Sequence, residues 1–147
     1  MDNGRYFVGE DLKFKITDMI HRVLGIGRWI VDFLFATERY DIDGVLACLL
    51  DTRAPDHILE EAEDLMLSCD YNCGFTYTNP RLRRAVVLIG PTTSGDEFLD
   101  TLVHEIRHLA DAIAKSVGVD LDSEQPAYIS GDTTKALAKV ICELGCD

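Results

Sequence analysis

The stretch FLDTLVHEIRHLADAIAKSVG, from Phe98 to Gly118, constrains the fold of this chain more than any other. Phe98, Leu102, Ile106, Leu109 and Ile113 recur at helical spacing and define one apolar face of a long α-helix. A helix this amphipathic must lie against an apolar partner. Its ends can be read as well. Thr93 or Ser94 can cap the start, Asp96 and Glu97 stand where the helix dipole favours acids, and Gly118 can close it in the left-handed conformation. The other side of the helix carries His104-Glu105-Ile106-Arg107-His108.

At about 100° per residue, His104 and His108 lie about 40° apart, one turn above each other, so both imidazoles can reach a single ion. Glu105 lies about 100° from His104 and about 60° from His108. It is too oblique to coordinate that ion, but close enough to touch one of its ligands. Two imidazole nitrogens suit Zn²⁺, and the carboxylate can take the proton of a metal-activated water as it attacks. The composition includes four His in 147 residues. The spacing arises by chance in about one such chain in a hundred and fifty. A helix with two surface histidines would explain neither the glutamate nor the strand upstream.

That strand belongs to a change of pattern at Gly74. The runs FTYT (75–78) and AVVLIG (85–90) flank the turn NPRLRR, which predicts an antiparallel hairpin. Before it the chain reads as helical. Ile16, Met19, Ile20, Val23 and Leu24 recur at helical spacing, as do Trp29, Ile30, Phe33 and Leu34. Asp41 or Asp43 could cap a helix through GVLACLLD, and Pro55 opens another, PDHILEEAEDLMLSC, with His57 exposed in its first turn. After the motif helix, Ser123 begins a last helix that tolerates Pro126 in its first turn and continues through KALAKVICELG. The expectation is a mostly helical α+β fold over residues 1–147 as one domain. Residues 1–70 form its helical part, and 75–147 hold a small antiparallel hairpin or sheet, the motif helix and a C-terminal helix.

The formal charge of −12 is spread along the chain, which argues against unaided binding to nucleic acid or an anionic membrane. The apolar run from Val23 to Ala36 is too short to span a bilayer and is broken by Arg28 and Asp32. The N-terminus lacks a basic segment followed by an apolar run, so a cytoplasmic protein is expected. The cysteine count of five is odd, and free thiols follow as the default. Cys69/Cys73 and Cys142/Cys146 form two C-x3-C pairs, a spacing less usual for structural zinc than C-x2-C.

HEIRH, preceded by a strand and followed by a helix bearing a carboxylate, resembles the zincin metallopeptidases. The branch it resembles is the gluzincins, whose third zinc ligand is a downstream glutamate. The metzincin pattern continues with Gly and His where this chain has Asp111 and Ala114. The segment RLRRAVVLIGPTTSGDEFLDTLVHEIRHLAD…SEQPAY is also similar to small zincin-like proteins of gut bacteria and their phages, over roughly residues 75–132.

The resemblance implies a zinc-dependent metallopeptidase acting on a peptide or protein. Its Zn²⁺ would be held by His104, His108 and Glu124, with Glu105 as general base. Asp132 competes with Glu124: the motif helix climbs about 13 Å beyond His108, so an antiparallel return brings Asp132 nearer that level. Asp111, about 20° from His104, reads as a ligand or as an acceptor for an imidazole N–H. Tyr128, one turn after Glu124, could donate its hydroxyl to a developing oxyanion or simply pack. AVVLIG reads as an edge strand on which a substrate peptide could pair. His21 and His57 read as exposed or core histidines, and Arg81, Arg83 and Arg84 as a solvated turn. The alternative function is a non-catalytic zinc-binding interaction or regulatory protein of a phage or mobile element.

Overall fold

Two runs with almost no polar residue, WIVDFLF and RAVVLI, set the architecture. Strands this uniformly apolar belong in the middle of a sheet covered on both faces. The computed structural model, which describes residues 19–145, places them there. The elements in chain order are β1 (Ile20–Ile26), β2 (Trp29–Phe35), a 3₁₀ turn (Arg39–Asp41), α1 (Ile42–Asp51), α2 (Asp56–Ser68), β3 (Gly74–Asn79), β4 (Arg84–Ile89), α3 (Gly95–Ser116), α4 (Gln125–Ala136) and α5 (Ala138–Gly145). The sheet order is β1-β2-β4-β3. β1 pairs antiparallel with β2, β2 parallel with β4, and β3 antiparallel with β4. The fold is α+β, as expected, but the sheet is four-stranded and mixed rather than a lone hairpin.

The additional strands correct the helical reading of residues 20–34. Ile20, Leu24 and Ile26 of β1 pack on the same core as Trp29, Val31, Phe33 and Phe35 of β2, so the operative period is two. Leu34, on the opposite face of β2, is also fully buried. Burial on both faces filled in the alternation and left a continuous apolar run that mimics helical spacing. Ile26 pairs with Trp29 across a two-residue loop, and Gly27 there has φ +59°, which suits glycine. Ile16 lies outside the described residues.

The two faces bury separate cores. On one, Val31, Phe33, Val87 and Ile89 meet Phe98, Leu102, Ile106 and Leu109 of α3, with α5 closing the layer through Val140. On the other, Leu34, Val86 and Leu88 meet Val45 and Leu49 of α1 and Ala62 and Met66 of α2. The apolar face expected for α3 is the buried one, from Phe98 to Ile113. Each of those larger side chains contributes roughly 1.5–3 kcal/mol by leaving water. Ser94 caps α3, its hydroxyl accepting the Glu97 N–H at 3.1 Å, and Gly118 follows the helix with φ +77°.

Two local expectations are revised. The last helix is two, interrupted at Leu137, whose ψ of 11° departs from helical values. Leu137 is 1% exposed, and the break turns the chain so that both α4 and α5 pack against α3. Cys69 and Cys73 are joined as a disulfide rather than free. The end of α2 places their Cα atoms 6.5 Å apart, within disulfide reach. Cys48 and Cys142 are free, and Cys146 lies outside the described residues, and with it the Cys142/Cys146 pair. No helix among the described residues is long and apolar enough to cross a membrane.

The Phe98 ring lies 6.1 Å from that of Phe35, tilted 51° to it, and anchors the first turn of α3 to β2. Phe98→Ala is expected to cost about 3–5 kcal/mol, read as a lower urea midpoint with an unchanged slope.

Candidate metal centre

The amphipathic period of α3 decides which motif residues face solvent. With Ile106 and Leu109 turned into the core, His104 and His108 emerge on the exposed side, while Glu105 lies on the flank and is 6% exposed. The two imidazoles meet, Nε2 to Nε2, at 3.1 Å, with ring planes 85° apart. Tetrahedral zinc with bonds of about 2.0–2.1 Å holds two nitrogens about 3.3 Å apart. The spacing fits an ion and equally an N–H···N hydrogen bond between the two rings.

Glu105 is held by β3. Its Oε1 accepts the Thr76 hydroxyl at 2.6 Å. Above it is Gly74, where a Cβ would fall 2.7 Å from both Cγ and Oε2 of Glu105. Any side chain at this position would have to push Glu105 aside. β3 is also an outer strand, paired only with β4 among the described residues. Its open edge, with Glu61 of α2 and the motif residues His104, Glu105 and His108, lines a hollow of about 450 Å³. α2 covers the opposite face of the sheet, so Glu61 approaches this hollow around the edge of β3.

The expected edge strand AVVLIG is corrected by this arrangement. It is β4, flanked by β2 and β3, and its backbone groups are taken on both sides. FTYT, within β3, is the outer strand beside the motif helix and leaves an edge open among the described residues. Asp111 is likewise reassigned: both of its carboxylate oxygens accept from Arg107 Nε at 3.0 Å, rather than from an imidazole. An i, i+4 pair on an exposed helix face makes that contact local and easy to form.

The other expected ligands are not gathered. Glu124 is the N-cap of α4, and Glu124, Tyr128 and Asp132 are all exposed. Among the described residues, only one group of three His, Cys, Asp or Glu ligand atoms lies within 4.8 Å of one another, and it does not include the His104–His108 pair. The structure therefore brings together His104, His108 and Glu105, with Glu124 outside ligand distance of the pair and Tyr128 exposed on α4. Glu61, which sequence reasoning missed, is the additional acid at the hollow. Nothing in the run LEEAED separates it from an ordinary solvated helix face.

The group that does gather is His21 of β1, Asp32 of β2 and Cys48 of α1, and these three could hold a metal ion. It lies on the α1/α2 face of the sheet, opposite α3. His21 Nε2 stands 2.9 Å from Asp32 Oδ2. Arg84 Nη2 approaches Asp32 Oδ1 at 3.6 Å and Asp51 Oδ2 at 3.4 Å. Burial, and then the neighbouring Asp32 carboxylate, push the Cys48 thiol up to about 11.

The chain matches no family model, and no curated protein or solved structure is significantly similar to it.

Gly74→Ala should drive Glu105 off Thr76, at a cost of about 1–2 kcal/mol in urea unfolding. Part of that cost is the lost hydrogen bond, so it should shrink in a Thr76→Val background. In the metal-free chain the raised Cys48 thiol holds its proton at neutral pH. Alkylation of Cys48 by iodoacetamide at pH 7.5 should be slower in the folded than in the urea-unfolded chain, by on the order of 10²-fold, as followed by peptide mass spectrometry.

Proposed function

We propose that this chain is a zinc-dependent metallopeptidase centred on His104, Glu105 and His108. One observation carries the reading: two converging imidazole nitrogens stand beside a glutamate that a strand with an open edge holds in place. A buried carboxylate flanking a His pair serves no evident packing purpose, and burying it has a cost that structure alone would not select.

When bound, zinc would lower the pKa of a coordinated water and polarise the scissile carbonyl. His104 and His108 would supply two neutral nitrogen donors. The third donor would be Glu124, as the resemblance implies, or Glu61, which already lines the hollow. Thr76 donates its hydroxyl to Oε1 and so limits the orientations Glu105 can adopt. Glu105 then accepts the proton released by the attacking water and returns it to the leaving amine. The edge of β3 left open among the described residues would offer N–H and C=O groups to an extended peptide, which would lie between Glu61 and the His pair. Pairing of this kind fixes the peptide backbone before reaction, which is where much of the rate enhancement of such a site arises.

Glu105→Gln keeps the shape of the side chain and removes its basicity. It should retain zinc and lose cleavage of a peptide mixture by on the order of 10²–10⁴-fold, as read by mass spectrometry. His104→Ala should lower the zinc content by about one equivalent. Between Glu61→Gln and Glu124→Gln, the variant that loses zinc affinity identifies the third donor. Undiminished cleavage by Glu105→Gln would overturn the assignment of the base.

A further inference from the structure

We propose that His21, Asp32 and Cys48 form a second metal site that takes Zn²⁺ and ties β1 and β2 to α1 on the face of the sheet opposite the His104–His108 pair. The proposal does not depend on the peptidase reading.

Geometry comes first. Three donors of different type, an imidazole nitrogen, a carboxylate oxygen and a thiol sulfur, lie within 4.8 Å of one another, although they come from three elements. Asp32 sits in the middle of β2, and Val23 is its partner across β1. His21, two residues before Val23, projects from the same face of the sheet. Cys48 reaches them from α1. An i, i+4 pair can arise from local helix geometry, but this grouping needs a register, a strand face and a helix position to coincide. Mixed nitrogen, oxygen and sulfur donors suit a borderline ion such as Zn²⁺.

The second observation is an unmet need. Asp32 is 8% exposed, and among the described residues its Oδ1 is buried without a hydrogen-bond partner. Arg84 Nη2 stands 3.6 Å from that oxygen and is shared with Asp51. Arg84 Nε is likewise buried with no hydrogen-bond partner among the described residues. Buried carboxylates ordinarily have such groups satisfied. A divalent ion would give Asp32 a direct partner. With Cys48 bound as thiolate and its proton released to solvent, the ion and its two anionic donors sum to zero charge, the condition under which a charged set can stay buried. Arg84 would keep Asp51 as its counter-ion. The side chain of His21 is 24% exposed, so solvent can reach this side of the group and water can take the fourth position.

The test uses the full chain carrying His104→Ala and His108→Ala, which removes the other candidate site. This protein should still bind about one equivalent of Zn²⁺ after dialysis. Loaded with Co²⁺, it should show a near-ultraviolet thiolate-to-cobalt charge-transfer band. Adding Cys48→Ser should abolish the band, and adding His21→Asn should lower the bound metal at least tenfold. His21 is partly exposed on an outer strand, so His21→Asn remains informative if Cys48→Ser fails to fold. No metal in the double variant would overturn the proposal. So would metal and a band that survive His21→Asn, since the donors would then lie elsewhere.

Discussion

The packing of α3 across the sheet is the contact on which the rest of this structure depends. Five apolar side chains of α3 are pressed onto β2 and β4, and this fixes the rotation of the helix about its own axis. Once that rotation is set, His104 and His108 can only face outward and Glu105 can only lie along the flank, against β3. Helix orientation and the placement of Glu105 are thus one event. The close contact with Gly74 and the hydrogen bond from Thr76 then reduce the freedom Glu105 has left.

The sheet divides the molecule into two chemical territories. One face carries the exposed imidazole pair and the buried glutamate at the open edge of β3. The other carries the His21–Asp32–Cys48 group beneath α1, with Arg84 and Asp51 beside it. Asp32 sits within a strand whose neighbours are fully buried, so it must find partners locally or carry an uncompensated charge. His21 and Arg84 answer part of that requirement. Both territories reuse one device, a polar side chain placed at the border of an apolar face so that position, and not merely composition, determines its neighbours.

Parts of the fold were legible in the residues. The α3 pattern, its Ser94 cap, the Gly118 terminus and the β3–β4 hairpin all rest on local rules, in which side-chain period and turn chemistry act over a few residues. The first hairpin was not legible, because β2 is buried on both faces and its continuous apolar run satisfies helical and strand periods alike. AVVLIG could be read as a strand but not as an interior one, since strand order depends on which other strands exist.

His104 and His108 converge because helix geometry alone brings residues i and i+4 together, so the candidate centre was visible from the amino-acid order. A chain that spells HEIRH on a strongly amphipathic helix already specifies that pair and its adjacent carboxylate. What lies across space was decided only by the tertiary structure: Thr76 and Gly74 on Glu105, Glu61 at the hollow, Arg107 rather than an imidazole on Asp111, and His21 with Asp32 and Cys48. These contacts join residues that are far apart in the chain or choose between local partners of similar reach. Loop closure, strand order and helix rotation determine such outcomes together, and none of the three can be read from a short window of residues.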